Sequence, residues 1–256
     1  MKLSAIIVNK GGERFIKECL DSIYKNTRTD FETVVIDNSS QHTLKETVRD
    51  YERVKLIENE HNLGLARSLN QGIRLTTSEY VLVLNPDTRI IGNSVDRMVE
   101  FMDDNGKCGV CGPKQTSPEG RLQYSARTFY TVPIILLRRT PLSRLFPNSR
   151  TVRKHLMMDY DHNSVFEADW LQGSCLMIRR NALEEVGLFD EQFFLYFEDV
   201  DLCRRMKDAG WKVTFYGEAE IAHHHRRGSA TPFSRLWFYH LKSMLCYSRK
   251  HGLQSR

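Results

Sequence analysis

Tyr80-Val-Leu-Val-Leu-Asn-Pro-Asp-Thr-Arg89 decides how this chain is read. The apolar run from Tyr80 to Leu84 is the kind a strand buried on both faces shows, and it stops abruptly at the polar turn Asn85-Pro86-Asp87. That turn sets Asn85 and Asp87 at the carboxyl end of a strand. In open α/β sheets this is the edge where ligands sit, and oxygen-bearing side chains at i and i+2 can face one side and share a hard cation. Taken alone, such an Asp also serves as an ordinary turn former.

Upstream, residues 2–8, 31–36 and 54–57 read as strands. Between and after them, residues 14–24, 43–51 and 64–75 carry helical spacing, the last with Leu65, Leu69 and Ile73 on one face. Strand and helix alternate with short connections, which predicts an α/β fold with a Rossmann-like, mostly parallel central sheet and right-handed crossovers. Lys10-Gly-Gly-Glu13 is not a Gly-x-Gly-x-x-Gly fingerprint, so no dinucleotide cofactor is expected.

Downstream come a helix at 95–102, a strand at 109–113 and a turn at 117–120. Residues 124–155, punctuated by Pro133, Pro141 and Pro147, read as a loop-and-short-helix insertion. A strand is expected over 166–178, helices over 180–186 and 198–209, a strand over 211–216, and an amphipathic helix over 233–251. Residues 1–229 are read as one domain, divided at 114 into a nucleotide-binding and an acceptor-binding half, with 230–256 as a helical tail.

With 41% apolar and 27% charged residues in 256, the composition is that of an ordinary globular chain. Its six scattered cysteines fit reduced thiols, and Cys108-Gly-Val-Cys111 is taken as core, since i and i+3 of a strand point to opposite faces. The apolar run before Asn9 is too short for a secretory core, and no stretch approaches a membrane span, so a cytoplasmic protein is expected. The net charge of +5 is uneven: eight Lys or Arg and no acid lie within residues 121–154, and the aromatic-rich tail is also basic. Such surfaces suit phosphate, whether of a nucleotide, a lipid diphosphate, an anionic leaflet or nucleic acid, or are simply solvated basic faces.

Several clusters carry chemistry. Asp37, at a strand end, can accept the imide N–H of a pyrimidine, or cap the turn Asp-Asn-Ser-Ser. In Asn62-Leu-Gly-Leu-Ala-Arg67, Gly64 lets a helix amino end approach a ligand, and Arg67 can stack on a base or pair with phosphate. Glu198, Asp199 and Asp201 start a helix directly behind the aromatic run 193–197. Burial there raises a carboxyl pKa while the helix dipole lowers it, which poises a general base or merely caps the helix. His223-His224-His225 ends a strand-like run, so no more than two of the three can aim at one ion; one imidazole with oxygens suits Mn²⁺ better than Mg²⁺.

Asp37, Asn62-Leu-Gly64, Asn85-Pro-Asp87, Asp169-Trp-Leu-Gln-Gly-Ser174, Glu198-Asp199 and the histidines, in this order, resemble a family 2 glycosyltransferase of GT-A fold. The likeness is to bacterial rhamnosyltransferase-like enzymes of surface polysaccharide synthesis. It implies a nucleotide site of Asn9, Asp37, Asn62, Gly64, Arg67 and Asn85, and a divalent metal, Mn²⁺ or Mg²⁺, held by Asp87 with His223 or His224. It further implies Asp199 as the base, with Glu198 its competitor, and acceptor contacts from Trp170, Gly173 and Asp190, with the 193–197 aromatics beside Trp170 as a wall. Asn85 departs from the Asp usual there and contributes a neutral oxygen.

The implied reaction takes a sugar from a nucleotide-sugar donor, dTDP-rhamnose or a UDP-sugar, to a saccharide or lipid-linked saccharide, with inversion. The implied partners include an anionic membrane surface, with the enzyme peripheral at its inner face, and no nucleic acid. Two other classes fit less well. A nucleotidyltransferase acting on sugar phosphates would want a Gly-rich basic loop after the first strand, and a non-catalytic basic module leaves the carboxylates unexplained.

Overall fold

The computed structural model describes residues 1–39, 43–139, 146, 148–224 and 234–253. The chain runs β1 (Leu3–Asn9), α1 (Glu13–Asn26), β2 (Phe31–Asp37), α2 (Lys45–Val48), β3 (Val54–Glu58), α3 (Leu65–Ile73), β4 (Tyr80–Leu84), β5 (Thr88–Ile91) and α4 (Ser94–Asp104). It continues with β6 (Cys108–Thr116), β7 (Leu122–Gln123), β8 (Ala126–Arg127), α5 (Val132–Arg139), α6 (Arg150–His155), β9 (Val165–Glu167), β10 (Trp170–Leu171) and β11 (Cys175–Arg179). Last come α7 (Arg180–Val186), α8 (Glu198–Asp208), β12 (Lys212–His223) and α9 (Arg235–His251).

The strands of the main sheet lie in the order β3-β2-β1-β4-β11-β6-β12-β5. β1 to β4 are parallel, as strand–helix alternation requires, whereas β11 runs antiparallel to both β4 and β6. One sheet therefore contains strands from both halves of the sequence. Alternation along the buried strands splits the core into two layers. Leu3, Ala5 and Ile7 of β1 pack with Tyr80, Leu82 and Leu84 of β4 against Ile16, Leu20 and Ile23 of α1 and Met98 of α4. Ile6, Val81 and Val83 face the other way, toward Leu69 and Ile73 of α3, in the layer that also holds Leu202 and Met206 of α8. Each such fully buried side chain contributes about 1.5–3 kcal/mol, so three on α1 outweigh what its uncapped amino end forgoes.

Four expectations change. The helix expected over 43–51 is the single turn Lys45–Val48. The strand expected over 166–178 is three short strands, broken where Asp169 turns to accept the amide of Phe129 at 2.9 Å and pair with Lys207 at 2.9 Å. The strand at 211–216 continues to His223 through an irregularity after Tyr216. Cys108 and Cys111 are core, but not on opposite faces: the register against β12 skips Gly109, and this bulge turns both thiols into the same buried cluster. All six cysteines are free.

The tail is not detached. His240, Ser243 and Tyr247 of α9 are buried, and Tyr247 belongs to the main core. No helix of the described residues is long and apolar enough to cross a membrane.

Candidate active site

β4 delivers Asn85 and Asp87 to the carboxyl edge, and the four-residue strand β5, which the sequence reading missed, completes the arrangement. β5 pairs antiparallel with the end of β12, with His223 opposite Thr88, and this register sets His223 beside Asp87. The His223 Nε2 to Asp87 Oδ1 distance is 3.5 Å. His224 sits on the other face: its ring lies 5.0 Å from that of Phe15, while its amide donates to the Asp87 carbonyl at 3.0 Å. His225 lies outside the described residues.

Gln123 of β7 is a contributor no motif announced. Its Nε2 donates to the His223 carbonyl at 2.9 Å and its Oε1 lies 3.3 Å from His223 Nδ1. An amide oxygen at Nδ1 favours the tautomer with the proton there, which leaves Nε2 as a lone-pair donor toward Asp87. Among the described residues no three His, Cys, Asp or Glu side chains converge. The imidazole nitrogen of His223 and the carboxylate oxygen of Asp87 are of the kinds that could take part in holding a divalent ion, with Asn85 as a neutral neighbour.

The acceptor side joins this edge through β11. Its antiparallel register places Cys175 opposite Leu84, so Ser174 reaches the turn and its carbonyl accepts the Asn85 amide at 2.9 Å. The preceding Gly173 donates its N–H to Asp199 Oδ2 at 2.9 Å. A Cβ on Gly173 would lie 3.3 Å from Asp199 Cβ and Oδ2, so glycine keeps this approach close. Asp199 Oδ1 accepts the Val200 amide at 2.8 Å.

Glu198 and Asp199 are both buried, and Glu198 Oε2 has no hydrogen-bond partner. Burial, then the Asp199 charge, pushes the Glu198 carboxyl well above its ordinary range. Burial also raises Asp199, against the opposing pull of the Gly173 and Val200 amides and Arg127. Burial thus raises both carboxyls, and the Gly173 and Val200 amides favour the carboxylate form of Asp199.

At the donor side, Asp37 is fully buried. Its oxygens accept from Asn9 Nδ2 at 3.2 Å and from the amide and hydroxyl of Ser39, both at 2.9 Å. Asn9 also accepts the Gly12 amide at 3.1 Å, so it braces Asp37 and the loop after β1 together. Arg67 is exposed in the first turn of α3. Asn62 Oδ1 holds the Gly64 amide at 3.0 Å. Gly64 has φ +86°, and the space expected for a ligand in front of it is filled: a Cβ there would lie 2.6 Å from the Phe194 ring.

The aromatic wall also differs from expectation. Trp170, Phe193 and Phe197 are core, with Trp170 donating its indole N–H to the Thr128 carbonyl at 2.9 Å; only residues 194–196 of the run are partly exposed. Asp190 is engaged by Lys250 at 2.6 Å. Burial would raise its carboxyl, and Lys250 and Gln192 more than offset that, holding it low. A separate cleft of about 380 Å³ beyond β7, lined by Tyr124, Tyr160 and His162, has its Lys114 and Glu220 already paired at 2.9 Å.

Known proteins share this arrangement of sequence. The chain is 29% identical to N-acetylglucosaminyl-diphospho-decaprenol L-rhamnosyltransferase of Mycobacterium tuberculosis, over 94% of this chain and 80% of that one. It is 25% identical to rhamnosyltransferase WbbL of Escherichia coli, over 98% and 94% of the two chains. The crystal structure of GalNAc-T7 with UDP, GalNAc and Mn²⁺ superposes with a TM-score of 0.68 at 18% identity, and covers 88% of this chain but 43% of its own. That likeness shows the GT-A fold. Residues 4–187 match the family model of glycosyl transferase family 2, and the chain belongs to that family.

Proposed function

We propose that the protein is a metal-dependent, inverting hexosyltransferase that moves rhamnose, or another hexose, from a dTDP- or UDP-sugar to a saccharide or lipid-linked saccharide. The observation that carries this reading is the single sheet edge on which Asp87 and His223 converge while Gly173 fixes Asp199. The relatives named for rhamnosyl transfer, one of them to a diphospho-decaprenol acceptor, support the choice of sugar and acceptor.

Asp87 and His223 would hold the ion, which supplies positive charge against the charge developing on the departing diphosphate. Asn9 and Asp37 form the floor on which the base is read, with Arg67 reaching from α3. Asp199 takes the proton of the acceptor hydroxyl as its oxygen bonds to the anomeric carbon and the bond from that carbon to the diphosphate breaks. Attack from the side opposite the leaving group inverts the centre. Two backbone N–H groups occupy only part of the acceptor capacity of Asp199, and burial makes it a stronger base than an exposed carboxylate. Glu198, whose carboxyl burial pushes well above its ordinary range, is read as the partner of the base and not as the base.

The reading places the enzyme at the cytoplasmic face of an anionic membrane. Val132 and Leu136 on α5 and Phe238 and Leu245 on α9 are exposed in basic segments and are the residues proposed to meet lipid. The test is turnover of a panel of dTDP-, UDP- and GDP-sugars with and without Mn²⁺ on a lipid-diphosphate saccharide acceptor. Metal-dependent transfer from a pyrimidine donor is expected; transfer that is indifferent to chelation overturns the metal assignment, and no transfer from any donor overturns the reading.

A further inference from the structure

Asp201 lies in the first turn of α8, is fully buried and gathers three basic side chains. Arg205 Nε donates to its Oδ2 at 2.8 Å, while Lys250 Nζ at 2.8 Å and His251 Nε2 at 2.7 Å meet at its Oδ1. Arg205 gives three further N–H groups to the carbonyls of Val186, Gly187 and Leu188, at 2.8, 2.8 and 2.9 Å. Lys250 also reaches Asp190. The last residues of α9 are thereby tied to the turn that carries Glu198 and Asp199 and to the loop before it.

The segment between them needs such a hold. Tyr196 and Phe197 both have φ +68°, and consecutive bulky residues in the left-handed region persist only when their surroundings over-determine them. α9 supplies those surroundings. Ser243 Oγ donates to the Leu195 carbonyl at 2.8 Å, the His240 ring lies 5.2 Å from Tyr196 and 5.1 Å from Phe197, and Tyr247 lies 5.5 Å from Phe197. At its other end the same segment caps α3, the Leu65 amide donating to the Phe194 carbonyl at 2.7 Å.

We propose that Asp201, with Lys250 and His251 of the last helix, is a positioning cluster: it locks the left-handed turn that aims Asp199 at the acceptor hydroxyl and ties that turn to the donor-side helix. The proposal rests on the reading of Asp199 as the base. It adds that α9 sets the rate of transfer through its hold on this turn. A displacement near 1 Å of a catalytic group costs up to about 10²-fold, so loosening the turn acts on kcat rather than on donor affinity.

The test compares His251→Ala, His251→Gln and Lys250→Ala with the parent. His251→Ala and Lys250→Ala are expected to lower kcat at saturating acceptor by about tenfold or more while donor Kd stays within twofold. His251→Gln, which keeps an N–H donor for Asp201, restores most of the rate. Amide exchange over residues 197–202 should quicken in His251→Ala and return in His251→Gln, with β1 amides unchanged. Parental kcat in both alanine variants overturns the proposal, as does a loss that glutamine fails to rescue and that tracks a fall in Tm. Exchange is read without turnover, so quickened exchange in a protein inactive on every donor would sink the catalytic reading and leave the coupling standing. Asp201→Asn strands three donors in a buried site and is a weaker probe, because failure to fold would explain its result.

Discussion

The donor edge and the acceptor edge of this site hold their carboxylates in opposite ways. Asp37 is surrounded by donors, Asn9 on the neighbouring parallel strand and Ser39 two residues along. Glu198 and Asp199 are a buried pair in which Asp199 accepts the amides of Gly173 and Val200 while Glu198 Oε2 has no hydrogen-bond partner. A donor-rich carboxylate is fit to recognise; a desolvated pair, one member protonated, is fit to take up a proton. On the proposed reading, this contrast would give binding to one edge and chemistry to the other.

The largest effect expected from that division is on Asp199. Asp199→Asn keeps the shape and one of the two backbone contacts, its amide nitrogen being unable to accept the other, and it cannot take up the proton, so kcat should drop about 10²-fold or more in steady-state assays. Donor Kd by calorimetry should stay at the parental value. Unchanged kcat here, with Glu198→Gln dead, would exchange the roles of the two residues.

A smaller effect belongs to the donor edge. Asp37→Ala should weaken binding of dTDP or UDP about tenfold, the size of one lost hydrogen bond to a charged group, and leave kcat at saturating donor nearly intact. Preferential binding of a purine diphosphate by the parent would break the assignment of Asp37 as the pyrimidine reader.

The smallest is on stability and has a definite sign. Because the folded pKa of Glu198 is raised, the native state holds more protons than the unfolded chain from the ordinary glutamate range upward, and stability falls as pH rises through that window. Glu198→Gln removes the liability. Its Tm should exceed the parent's at pH 8 by about 2–4 °C, and the gain should vanish below about pH 4, where both carboxyls are protonated in either state. A constant difference across pH would deny that Glu198 is held protonated.

The same contrast explains what was legible. The donor half is written in local signals: continuous apolar runs for β1, β2 and β4, and helical spacing in α1 and α3, so its elements and the turn at Asn85 and Asp87 could be read in order. The acceptor half is built by contacts across the chain. Gly173 reaches Asp199 over 26 residues and His251 reaches Asp201 over 50. In sequence, Lys250 and His251 look like the basic last turn of any helix. β5 and β7, at four and two residues, are too short for periodicity to register, yet they place His223 and Gln123. Trp170 and Phe197 read as a ligand wall because aromatic clusters line sugar sites and cores alike, and only packing tells them apart.

A titration of Mn²⁺ against kcat in Asp87→Asn and Asp199→Asn, side by side with the parent, tests the division between ion and base most directly. Asp87→Asn weakens the hold on the ion, so mass action should restore part of its activity as Mn²⁺ rises. Asp199→Asn should stay at its low rate at every concentration. Parallel curves, both recovering or both flat, would contradict the assignment of Asp87 to the ion and Asp199 to the proton.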